Sequence, residues 1–133
     1  MRAARLLMIF VSMVLLGAAQ ETTTYYGRHL RPFPGPQVYK ETSSGTLLYV
    51  ESDGRHVAAI SPDGKLLWNR DPFTEGHLEF YRTNKPQIVY IGPVSKSSPA
   101  GVQPGEFVAV AFNSSQFGVL KISNGEFRFQ GQD

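Results

Sequence analysis

Two tight-turn signals ten residues apart, Asp53-Gly54 and Pro62-Asp63-Gly64, limit the fold of this chain more than any other feature. Asp-Gly favours the two-residue hairpin turn, because both central positions need positive φ. In Pro-Asp-Gly, proline presets φ and glycine takes the left-handed position. The segments they bound, Thr46–Glu51, Arg55–Ile60 and Lys65–Asn69, are rich in β-branched and large apolar residues. A three-stranded antiparallel meander follows from turn chemistry alone.

The same punctuation continues to the C-terminus. Asp71-Pro72 ends the third strand. A pair is expected at His77–Arg82 and Gln87–Ile91, joined by Thr83-Asn84-Lys85-Pro86. Three further strands are expected at 106–112, 116–122 and 126–130, with turns at Asn113-Ser114-Ser115 and Asn124-Gly125. Asn113-Ser114-Ser115 also fits the N-glycosylation pattern, but reads first as a polar turn. Beyond the first 20 residues no apolar period of 3.6 is sustained. The expected fold is all-β, with eight or nine strands in antiparallel meanders. These would form a small sandwich or barrel, or partial propeller-like sheets.

The N-terminus is different in kind. Arg2 and Arg5 precede the apolar run Leu6–Leu16, and Gly17-Ala18-Ala19 supplies the small side chains of a signal-peptidase site. The reading is a signal peptide over 1–19, cleaved after Ala19. The apolar run falls short of the about 20 residues needed to span a bilayer. Residues 20–36 then read as an extended arm, polar at first, with Tyr25-Tyr26 and prolines at 32, 34 and 36. Residues 37–133 form a single all-β domain. A soluble protein exported to the periplasm or beyond is expected, bacterial because it carries no cysteine.

The missing cysteine also excludes disulfides, zinc–cysteine sites, iron–sulfur clusters and thiol nucleophiles. The formal charge of +2 gives no reason to expect nucleic-acid binding. Both excess charges lie in the leader, and without it basic and acidic side chains balance at 11 each.

The segment Ile60-Ser61-Pro62-Asp63-Gly64-Lys65-Leu66-Leu67-Trp68 resembles the inter-strand turn of β-propeller repeats of the pyrroloquinoline-quinone type. In those repeats an Asx-Gly-Lys turn leads into a strand bearing tryptophan. The resemblance covers residues 46–70, with a fainter echo at 106–130. At an offset of 61, Leu47 lies over Val108, Asp63-Gly64 over Asn124-Gly125, and Trp68 over Phe129. The resemblance implies blade-like sheets. It implies no cofactor, since that family's quinone ligands come from many blades and have no counterpart here. Blades take roughly 40–50 residues and closure takes at least four, so the chain holds fewer than three. It either relies on a homo-oligomer to complete the assembly or closes alone as a sandwich or barrel. The second is favoured, because a lone chain must hide its edges.

Chemistry-bearing residues are sparse. His77-x-Glu79-x-Tyr81 would share one face of a strand, a starting point for an acid/base pair or a metal site. A third or fourth ligand is missing, and no metal is assigned. Serines lie in polar loops, none in a Gly-x-Ser-x-Gly elbow. Tyr25, Tyr26 and Tyr81 are the candidate binding residues. The function expected is therefore non-enzymatic binding or assembly with a protein or envelope component. The alternative is a small envelope hydrolase or metal-binding enzyme centred on His77 and Glu79.

Overall fold

A computed structural model describes residues 37–133, so the leader and the arm, with Ala19, Tyr25 and Tyr26, lie outside the described residues. The domain is all-β. Strands β1 (Gln37–Lys40), β2 (Leu47–Val50), β3 (Val57–Ile60) and β4 (Leu66–Arg70) form one antiparallel sheet in chain order. Strands β5 (Ile88–Pro93), β6 (Phe107–Phe112), β7 (Gln116–Lys121) and β8 (Phe127–Gln132) form a second, also in chain order. Between the sheets lies one short helix, α1 (Pro72–Glu75). Neither sheet closes into a barrel.

The turns fall at the expected signals, but Asp53-Gly54 does not form the two-residue turn. Gly54 takes positive φ and Asp53 does not, and the longer loop between β2 and β3 is closed by Glu51 N→His56 O and Gly54 N→Glu51 O bonds. Gly54, Gly64 and Gly125 all take positive φ. Asn113-Ser114-Ser115 links β6 to β7, with Ser115 at φ 71°. The Asn113 amide is spent inside the fold, its oxygen accepting from Gln87 N and its nitrogen donating to Lys85 O.

Register decides which face of each sheet is buried. In the first sheet Tyr39, Leu48, Ala59 and Trp68 share a face, as do Val50 and Val57. In the second, Val108, Leu120 and Phe127 align, and Ile91 aligns with Val110. These residues meet in one core, to which Phe73 of α1 adds its ring. The first strands of the two sheets are neighbours, with Gln37 Nε2 donating to Ile88 O at 2.8 Å. At the opposite side, Trp68 Nε1 donates to Ile122 O.

The outer faces differ. The segment between β5 and β6 lays Val94 and Val102 over Phe107, Val119 and Ala109, covering the outer face of the second sheet. No described segment does this for the first sheet.

Two expectations are corrected. The strand His77–Arg82 is absent: both end residues take left-handed backbone, φ 52° and 59°. The segment instead leaves α1 through His77 N→Thr74 O and Leu78 N→Phe73 O bonds, and Leu78 packs on the core. No described strand takes its place beside β5; the strand the sequence does not predict is β1, which pairs with β2 at the edge of the other sheet. The barrel is also excluded. The 61-residue offset pairs β2, β3 and β4 with β6, β7 and β8. It keeps faces at β3 and β7 (Ala59 and Leu120 both inward) but not at β2 and β6. There outward Leu47 falls over inward Val108.

Candidate functional site

Asp71-Pro72 builds one wall of a cleft. Proline at the first helical position is favoured, and Asp71 caps the helix by accepting from Thr74 N at 3.2 Å and Thr74 Oγ1 at 2.9 Å. Arg55 holds the cap from the side, 3.1 Å from Asp71 Oδ2, with its guanidinium over the Phe73 ring. The helix ends at Gly76, where a Cβ would lie 2.6 Å from the Phe127 ring. That close approach brings α1 against the start of β8.

The cleft measures ≈ 580 Å³ and is lined by Arg70, Thr74, Glu75, His77, Asn124, Glu126 and Phe127. Arg70 spans it, donating to Asn124 O at 3.2 Å and pairing with Glu75 at 3.0 Å. Asn124 Oδ1 accepts from Glu126 N at 2.9 Å, which fixes the rim. The floor is aromatic and the rim carries both signs of charge.

From this cleft β8 runs out as an edge strand, its far side unpaired among the described residues. Arg128, Phe129, Gln130 and Gln132 are exposed. The strand has one charge, Arg128, and no proline; a register shift against β7 leaves Gln130 as a bulge, so the regular part of the edge is Phe127–Phe129. Phe129 is 47% exposed and Phe80 67% exposed, the latter stacked on Phe73 at 5.8 Å.

Of the sequence candidates, His77 lines the cleft and Glu79 does not. Both are exposed, and among the described residues no hydrogen bond or ion pair joins them. The Glu79 carbonyl accepts from Gln116 Nε2 at 2.9 Å. Tyr81 is half-buried, and its hydroxyl donates to Asp133 O at 3.0 Å. The alternation argument for a shared His77–Glu79–Tyr81 face therefore lapses with the strand.

Sequence reading missed a cluster at the β2–β3 turn, Glu51, Asp53 and His56, whose ligand atoms lie within 4.8 Å of one another. These groups are already engaged. Asp53 Oδ1 accepts from Arg55 N and His56 N, Oδ2 from His56 Nδ1, and Glu51 accepts from Asn69 Nδ2. Burial works against the Asp53 charge, but these bonds prevail and hold its pKa at about 2. The bond to Asp53 raises the pKa of His56. A cation would have to displace this network, which already locks the hairpin.

The other displaced carboxyl is Glu41, lowered to about 2 by hydrogen bonds from Ser44 and Ser43. It closes the β1–β2 turn and raises the pKa of Tyr39, burial being the larger cause there. Neither displaced group faces the cleft.

The chain matches no family model, no curated protein and no solved structure. No described helix is long and apolar enough to cross a membrane.

Proposed function

We propose that this chain is an exported, soluble β-domain with a non-enzymatic binding or assembly role, engaging an extended segment of a partner protein along β8. The observation that carries this is the unpaired edge of β8, uncharged but for Arg128 and carrying the exposed ring of Phe129. An extended peptide adds to such an edge through main-chain hydrogen bonds, and alternate side chains find pockets. The cleft at the start of β8 gives an entering chain an aromatic floor and a polar rim.

The leader supports export, with mature protein beginning at Gln20 in a bacterial periplasm or outside the cell. The blade likeness belongs to this reading too. Each sheet is a four-stranded meander in chain order, as a propeller blade is, and two such units make a scaffold with edges to offer.

The test is in-cell crosslinking of the exported chain against the Phe129→Lys variant. A charge on an open edge disfavours strand addition without touching the core. A discrete crosslinked envelope protein with the wild type, reduced at least tenfold in the variant, is expected. Equal capture by both overturns the reading. So does stoichiometric metal in the purified protein that is lost in a His77→Ala, Glu79→Ala double variant.

A further inference from the structure

The outer face of the first sheet is apolar, and no described segment covers it. Register places Val38, Tyr49, Ala58 and Asn69 in one row and Lys40, Leu47, Ile60 and Leu66 in the next, so the polar members lie on the two edge strands. Val38 is 53% and Leu66 63% exposed, and Leu67 at the neighbouring bulge is 50% exposed. The only charged residue in those rows is Lys40, on edge strand β1. The second sheet solves the same problem with a segment of its own chain, Val94 to Phe107.

We infer that residues 20–36 cover this face, packing Tyr25, Tyr26 and Phe33 against it. The first reason is where this stretch ends. Its last residue precedes Gln37, and Val38 already belongs to the face. The second is reach. Four strands about 4.8 Å apart make a face roughly 15 Å wide, whereas 17 extended residues span up to about 55 Å. The third is chemistry. Proline cannot donate a ladder hydrogen bond, so Pro32, Pro34 and Pro36 disfavour pairing with the free edge of β1 and favour a path over the face. Pro-Gly, present at 34–35, is also the pair favoured at the two centre positions of a type II turn, the kind of reversal a path back over the face requires.

A second copy fits the face less well. Two faces this small would bury less than the roughly 1,000 Å² expected of a specific interface. The inference does not rest on the β8 edge, which lies on the other sheet.

The chain has no cysteine, so a single introduced thiol reports on the face without background. The reporter is Leu66→Cys in the full exported chain, with Val38→Cys as a second and Ser97→Cys as the exposed reference. Both face thiols should react with maleimide at least tenfold more slowly than the reference. Changing Tyr25, Tyr26 and Phe33 together to serine should restore fast reaction, with the far-UV spectrum unchanged. Fast reaction of both thiols in the unmodified arm background overturns the inference. So does protection that depends on protein concentration with a dimer mass by light scattering, which would assign the face to a second copy. Fast reaction of both thiols in the unmodified background, with capture by the β8 edge intact, would overturn the arm while leaving the functional proposal standing.

Discussion

The indole Nε1 of Trp68 donates a 2.7 Å hydrogen bond to the backbone carbonyl of Ile122, 54 residues away. It joins the last strand of the first sheet to the end of β7 in the second. Trp68 is 8% exposed and Ile122 6%, so water cannot readily replace either partner.

Trp68→Phe should therefore cost more than the lost ring area suggests. The substitution keeps an aromatic ring but orphans the Ile122 carbonyl, a penalty of about 1–3 kcal/mol. Trp68 is the only tryptophan, so urea unfolding must be followed by far-UV circular dichroism. An unchanged midpoint would show that the bond contributes nothing to holding the sheets together.

Gly125 sits directly beneath that contact. Its φ is 75°, and a Cβ there would lie 2.6 Å from both the Trp68 ring and the Arg70 side chain. Gly64 occupies the equivalent turn of the first sheet at φ 86°, with nothing within 4 Å of a built Cβ. Gly64→Ala should cost only the backbone penalty of about 1 kcal/mol, and Gly125→Ala about 2–4 kcal/mol, since overpacking adds to it. Equal losses in urea melts of the two variants would remove the steric argument.

Glu41 should tie stability to acid pH. Its residue is 4% exposed, and its oxygens accept from the hydroxyls and backbone nitrogens of Ser44 and Ser43 at 2.6–2.9 Å. These bonds lower its pKa from 4.5 to about 2. A depressed folded-state pKa stabilises above the unfolded value and is lost as pH falls through the folded one. The contribution is thus complete above about pH 4.5 and fades toward pH 2. Glu41→Gln should be less stable than wild type at pH 7 by on the order of 2 kcal/mol, allowing for solvent screening, with the gap narrowing toward pH 2. Asp53 titrates in the same window, so the difference between the two proteins is the informative quantity. A gap independent of pH would sink the assignment.

What the sequence made legible was governed by local rules. Asp53-Gly54, Pro62-Asp63-Gly64 and Asn124-Gly125 declare their turns because glycine alone tolerates those angles cheaply, and the flanking strands follow. His77–Arg82 misled because its His-Leu-Glu-Phe-Tyr alternation is real, but Phe80 stacks on Phe73 and Leu78 on the core by irregular backbone. β1 was missed because Gln37-Val38-Tyr39-Lys40 is short and gains its partner only through β2. The cleft was invisible for a related reason. Arg70 lies on β4, Glu75 on α1 and Glu126 in the β7–β8 turn, and the packing of Gly76 against Phe127 brings these segments together. The Asp71-Pro72 pair that opens α1 carries two signals at once, a strand terminator and a helix cap, and only the second positions α1.

That cap yields the last prediction. Asp71 does two things at once: it caps α1 through Thr74 N, and it pairs with Arg55 at 3.1 Å. Both side chains are mostly shielded, at 24% exposure for Arg55 and 18% for Asp71, so the pair is screened less than a surface one. Asparagine caps a helix about as well as aspartate but carries no charge. Asp71→Asn should then lose only the ion pair, roughly 0.5–1 kcal/mol, and that loss should shrink in 1 M salt. Asp71→Ala should lose cap and pair together, about 1.5–3 kcal/mol, with a residue that salt does not remove. Adding Arg55→Ala to each separates the terms: it should cost little on top of Asp71→Ala, apart from its packing over Phe73. If Asp71→Asn and Asp71→Ala unfold at the same urea concentration, the cap contributes nothing, and the position of α1 must come from Phe73 alone.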